Sequence, residues 1–532
     1  MIATEITVGQ IWLVAGIAGV VGGVVGAIMC ISLRRFIPLL MAAILAPFAA
    51  YGQEPQKFHS VLKRERVPSV AESVDASWQD ASRITAFDAP SIRYVWCPSW
   101  MPANTPQIVS GVINLALSRS ETIYQPVVAR MTDGGSIVRY DARMLTADVA
   151  QLENLEITLG KLTPQEPYYH STIAGVTAFS SHVGIAEMTS LAAKTQSQIP
   201  IVRADWFIVK ALSTLDGGKY YDFQGIERNP KGKTAQKAWF DSQRASEAEI
   251  DAAQRCLIIH SLVAGRKWRR TDVSPARSAR PGTAAGVVML THDISNEHAK
   301  SIASNPGANL IDFKDDAREA IGFKTNGLQQ FALFKADGSL QDSAPENVVQ
   351  DDEVPRPFTK QLQGAISCIR CHGPQDGYKP LVNDAPLLLS GRFDNFGDLL
   401  LANKQDAYQQ AQTIAGLYAL RPDKPISRAR DDYQEAMYKA TGGLGVKEFS
   451  AAVSTIYANY VYTDVTPRQA LLELGVVADD ASAPIALQNL LGDTYPLEDV
   501  RVATLKKGGT LSRADWELIY GDAASRALIT HN

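Results

Sequence analysis

The chain has 532 residues, 46% of them hydrophobic and 20% charged, with 52 Lys and Arg against 56 Asp and Glu. A net charge of −4 argues against a protein built mainly to hold nucleic acid, which needs a basic excess, and the hydrophobic content argues against low-complexity disorder. Five cysteines are too few for a disulfide-stapled scaffold, and long apolar runs confined to the first 50 residues do not make a polytopic membrane protein.

The first apolar run, Ile11–Leu33, is 23 residues long and carries no charge, enough to span a bilayer. Gly19/Gly23 and Gly22/Gly26 give it the small-residue spacing that lets helices approach closely in lipid. Arg34 and Arg35 follow, then a 15-residue run, Phe36–Ala50, the length of a signal-peptide core, and the small-residue stretch Ala50-Tyr51-Gly52. Two readings stand: a secretory signal starting at Met29, or a membrane hairpin with the arginines on the cytoplasmic side. Both put everything after Gln53 outside the cytoplasm, in the periplasm or cell envelope, with the membrane as a partner if the segment is not cleaved.

Residues 53–89 are polar and compatible with helix. Strand character appears at Ser91–Trp96, Ile137–Tyr140, Thr283–Leu290 and Gln329–Phe334, the last followed by the turn Asp337-Gly338. Gln107–Leu117 reads as helix or strand, and Ile199–Lys210 is a dense apolar run broken by Arg203-Ala204-Asp205. Ser274–Ala284 is a basic loop-like break. Asp342–Pro357, with Asp351-Asp352-Glu353, is an acidic break that closes the mixed half.

From Tyr408 onward helical periodicity dominates: Tyr408–Leu420, Asp431–Ala440 and Lys447–Tyr460. Thr466 as cap, Pro467 in the first turn and Gly475 as terminator bound another helix, and Ser512 with Asp515 forms a capping pair. The predicted fold class is α+β. Residues 1–52 form a signal or transmembrane segment, 53–355 a mixed α/β domain, 356–400 a segment that carries Cys368-Ile369-Arg370-Cys371-His372, a C-x-x-C-H haem-attachment pattern, and 401–532 a mainly helical domain.

One motif carries chemistry. Cys368-Ile369-Arg370-Cys371-His372 is C-x-x-C-H, the attachment signature of c-type haem. Two thiols three positions apart can each form a thioether to one edge of a porphyrin, and the adjacent histidine can then bind the iron axially. With 5 Cys and 8 His in the chain, the pentapeptide is expected by chance on the order of 10⁻³ times. The competing readings are a redox dithiol and a zinc site, but zinc lacks a second pair of ligands at finger spacing. The reading is one haem c, with Cys368 and Cys371 as thioethers and His372 as proximal iron ligand.

The sixth iron position has three candidates. Met437 lies 65 residues downstream of His372, in a helical stretch. The histidines of the mixed half, His59, His170, His182, His260, His292 and His298, form the second, and an open site the third. His292 and His298 flank Asp293 and Glu297, which reads as a solvated turn more than a metal cluster. A saturated iron suits electron transfer to redox partner proteins, and an open one suits peroxidase-like chemistry. An exported binding or structural protein with accessory haem is the third function class. Cys30 lies in the first apolar run. Cys97 and Cys256 are either disulfide-bonded or two buried thiols.

The stretches Ile113–Ser120, Glu166–His170, Ile201–Ile208, Asn326–Gly338 and Ser367–Gly373 occur in this order. Together with TPRQALLELG and GGTLSRADWE they resemble large exported proteins of planctomycete-like bacteria that carry one c-type haem motif. The resemblance implies haem and export and no particular substrate. Only Cys368, Cys371 and His372 carry over as functional residues.

Overall fold

The computed structural model describes residues 70–132, 134–145, 185–197, 199–215, 217–243, 254–258, 269–275, 287–295, 314–379, 423–492 and 500–530, with residues 381, 383, 384, 386 and 416 between them. The two amino-terminal apolar runs, His59, His170, His182, His260, His298, the helix expected at Tyr408–Leu420 and most of the basic break lie outside these residues. Among the described residues no helix is long and apolar enough to cross a membrane.

Helix α1 (Val70–Ser82) leads into β1 (Ile92–Cys97). β1 is buried at every position, including Arg93, whose guanidinium donates to the Pro90 and Ile92 carbonyls. Helix α2 (Thr105–Val112) continues as a π-helical turn, Ile113–Leu117. So the ambiguous Gln107–Leu117 stretch is helical, fully covered from Ile108 onward. β2 (Val127–Arg130) and β3 (Ser136–Asp141) add antiparallel strands on one side of β1. After α3 (Ile185–Thr195), the apolar run around Arg203 splits into β4 (Ile201–Arg203), parallel to β1, and α4 (Ala204–Leu212). The first sheet is therefore ordered β2-β3-β1-β4.

Two short helices follow, α5 (Tyr220–Gln224) and α6 (Ala235–Ser242). β5 (Gln254–Ile258), β6 (Arg269–Pro275), β7 (Val287–Asp293), β8 (Ala317–Phe323) and β9 (Gln329–Lys335) form an antiparallel meander in sequence order. β10 (Ser343–Ala344) pairs with β11 (Leu362–Gln363), and α7 (Ile366–His372) follows directly. The remaining elements among the described residues are helices: α8 (Asp423–Thr441), α9 (Val446–Val461), α10 (Pro467–Glu473), α11 (Ala483–Leu491), α12 (Val500–Lys506) and α13 (Arg513–Thr530). The expected caps are formed. The Thr466 hydroxyl accepts from the Gln469 N–H, and the Ser512 hydroxyl accepts from the Asp515 N–H. The fold is α+β.

Glu65–Asn532 form one compact unit, and its core runs through both the mixed and the helical residues. The Ser110 hydroxyl of α2 donates to the Ala440 carbonyl of α8 at 2.6 Å. A Cβ on Gly111 would lie 2.7 Å from the Phe449 ring of α9, so α2 and α9 meet at a glycine. The acidic stretch 342–357 is packed into the fold. Val348, Val349 and Val354 are buried in it, and Asp351 is only 6% exposed. Its carboxylate turns inward because a buried arginine, Arg370, awaits it there.

One further expectation is corrected, and one open alternative is decided. His292 does not sit in a solvated turn but in β7, 6% exposed, because β7 is paired on both sides by β6 and β8. Its Nδ1 lies 2.7 Å from Asp315 Oδ2, a carboxylate that also accepts from Arg318. Burial alone would raise the Asp315 pKa, but these two partners hold it below the usual range. Cys97 and Cys256 are both buried and no disulfide joins them. Burial pushes the Cys97 thiol far up, which makes it a packing residue.

Candidate haem site

The motif lies on α7. Cys368 and Cys371 are three positions apart and Cys368 and His372 four apart, so all three share one helix face. Both cysteines are free, and the thiols are not joined to each other. Cys368 is 9% exposed, whereas Cys371 and His372 are half-buried. Burial pushes the Cys368 thiol well above its ordinary range, with Glu319 and Cys371 adding to the shift.

The opposite face of α7 is clamped. Arg370 and Asp351 form a buried ion pair at 3.2 Å, with side chains 1% and 4% exposed. The guanidinium stacks on Tyr457, 4.6 Å from the ring centroid, and lies 5.6 Å from that of Tyr462. The Ser367 hydroxyl donates to the same Asp351 oxygen at 2.6 Å and accepts from the Gln363 N–H. Gln363 in turn donates to the Tyr457 hydroxyl and accepts from Ser213. Every polar side chain in this chain of contacts is oriented by another, which fixes the rotation of the helix and hence the direction of its cysteine face.

The end of α7 is set by contact with α9. The Ser450 hydroxyl donates to the Ile369 carbonyl at 2.8 Å, and a Cβ on Gly373 would fall 2.1 Å from that hydroxyl oxygen. Gly373 is therefore required by close approach, not by its φ. A Gly373→Ala change is expected to part α7 from α9 and cost about 1–3 kcal/mol. Urea unfolding measures this, and an unchanged midpoint would show that Ser450 yields freely.

Past the helix, the chain turns back through Asp376 (φ 57°) and Gly377 (φ 89°). The Tyr433 ring of α8 packs on Gly377, and Tyr378 meets it edge-on at 6.5 Å between centroids. Burial pushes the Tyr378 hydroxyl up to about 12. Lys379 then reaches Cys371, with Nζ 2.7 Å from Sγ.

Cys368, Cys371 and His372 are thus brought together. Met437 stands apart on α8, fully buried, one turn beyond Tyr433 on the face that packs on the Gly377 turn. Among the described residues no cluster of three or more His, Cys, Asp or Glu could hold a metal ion. Sequence reasoning did not reach the Arg370–Asp351 clamp or Lys379. The signal for the clamp was the set of valines, Val348, Val349 and Val354, inside the acidic stretch. For Lys379 it was the Asp376-Gly377 turn, which sends the chain back along the helix. No family model, curated protein or solved structure matches the chain.

Proposed function

We propose that the protein is a c-type cytochrome that carries one covalent haem and passes electrons to redox partner proteins in the cell envelope. The observation that supports this is the donor set itself: two unbonded thiols and an imidazole on one face of one helix, C-x-x-C-H in order. These residues fit the group. Cys368 and Cys371 would hold the porphyrin edge and His372 the iron, and the iron supplies a one-electron couple when bound. The buried Arg370–Asp351 pair and Ser450 keep the helix from rotating, so the face that carries Cys368, Cys371 and His372 keeps one direction. Met437 is the candidate sixth ligand from its place on the face of α8 that meets the motif's turn. The amino-terminal apolar runs support export.

The test is expression in a periplasm competent for haem attachment. Denatured wild-type protein is expected to keep haem-peroxidase staining on a gel, and the Cys368→Ala, Cys371→Ala double variant to lose all of it. A wild-type chain that matures there without covalent haem refutes the reading. Thiol–disulfide exchange is the second reading, favoured by the Lys379 amino group on the Cys371 sulfur. It predicts a thiol pair that alkylates when reduced and resists alkylation when oxidised, with no haem on the gel.

A further inference from the structure

We propose that Lys379 is a positioning residue for the redox couple: its ammonium, held at the Cys371 attachment edge, keeps the reduction potential of the attached haem up. The inference rests on the haem reading above.

The lysine is placed by a built turn. The Gly377 N–H donates to the His372 carbonyl at 2.9 Å, so the chain closes back onto the motif helix. Gly377 has φ 89°, and a Cβ there would lie 2.3 Å from the Tyr433 ring, so only glycine makes this turn. The Gly377 carbonyl accepts from Gln329 Nε2 at 2.8 Å and the Tyr378 carbonyl from Arg430 Nη2 at 3.2 Å. Tyr378 itself is fully buried. Lys379 therefore leaves a backbone pinned on both sides by β9 and α8, and its Nζ ends 2.7 Å from Cys371 Sγ.

Among the described residues no carboxylate cancels its charge. Among the described residues Lys379 makes no ion pair, and the carboxylate on its own turn, Asp376, is taken by Lys447 at 3.2 Å. A thioether sulfur keeps its lone pairs, so attachment leaves Cys371 able to accept the same N–H. Oxidising a haem adds one positive charge, and a fixed cation beside it disfavours that state. A half-buried cation is screened less by salt than a solvated one, so the effect persists at moderate ionic strength.

The experiment uses holoprotein of wild type, Lys379→Gln, Lys379→Met and Lys379→Arg. Intact mass reads covalent haem, and spectroelectrochemistry reads the midpoint potential. The expected result is full haem in all four, with a lower midpoint in the Gln and Met variants. At fixed ambient potential their ratio of oxidised to reduced haem should rise by roughly two-fold or more. Lys379→Arg should stay close to wild type. Equal potentials in wild type and Lys379→Gln overturn the inference while leaving the haem reading intact. A drop that Lys379→Arg shares also overturns it, because charge is then not the cause. Absence of haem from the wild type overturns both.

Discussion

Replacing Glu473 by glutamine is expected to destabilise the protein by about 3–5 kcal/mol, the cost of leaving buried charge uncompensated. Glu473 is completely buried at the end of α10. One carboxylate oxygen accepts from Arg203 at 2.9 Å and from the Trp516 indole at 2.8 Å. The other accepts from Arg513 at 2.7 Å and from Gln469 at 3.0 Å. Asp205 completes a neutral set of two arginines and two carboxylates by gripping Arg203 at 2.7 and 2.9 Å. Glutamine keeps the shape but leaves one positive charge in excess and turns an acceptor into a donor facing donors. Burial alone would raise the Glu473 pKa, and the Arg203 and Arg513 charges overcome that and hold it far below the usual range. The sign follows: this stabilisation is fully present above the unfolded carboxyl's pKa and drains away as pH falls below it. Urea unfolding from pH 7 down to pH 3 measures both effects, and the variant should lack this share of the acid sensitivity. A variant as stable as wild type at pH 7 would mean that the network is not a net stabiliser.

That network also shows where the sequence stops speaking. The strands at Ile92–Cys97, Ser136–Asp141 and Gln329–Lys335 and the helix at Val446–Val461 were legible because local periodicity and burial agree there. The switch from β4 to α4 at Arg203 was not. Nothing within a window of ten residues says that Arg203 meets a carboxylate 270 positions away, yet that partner lets an arginine sit in an otherwise apolar run. Asp351 repeats the point: an acidic triplet reads as solvent-facing until the buried Arg370 is known. The C-x-x-C-H face of the candidate site was fully legible, since residues three and four apart share one face of a helix. Its supports come from Ser213, Asp351, Gln363, Ser450 and Tyr457, scattered over 245 positions, and no local pattern marks them.

Between pH 7 and pH 9.5 wild-type stability is expected to gain about 3 kcal/mol from one buried amine, and Lys324→Met should abolish that gain. Lys324 opens the turn between β8 and β9, where Gly327 (φ 88°) returns the chain. Its Nζ donates to the carbonyls of Asn114 and Leu115 at 3.1 and 2.7 Å. These carbonyls belong to the π-helical turn after α2, which ends at Leu117 and leaves its last acceptors without backbone donors. Lys324 supplies them, and among the described residues it hydrogen-bonds to carbonyls and to no carboxylate. Burial, helped by the nearby Arg119 charge, pulls its pKa down to about 7, against 10.5 for a solvated lysine. Between those two values the unfolded chain holds a proton that the folded chain has released, so stability rises with pH. Below pH 7 both states are protonated and the full penalty stands. Methionine removes the titration and fills a similar volume. The two carbonyls keep donors, because Asn326 also reaches Asn114 and Gln224 also reaches Leu115. The variant should therefore match or exceed wild type at pH 6–7 and fall behind by pH 9.5. Urea midpoints taken across this range decide the matter, and parallel curves for the two proteins would show that Lys324 stays protonated throughout.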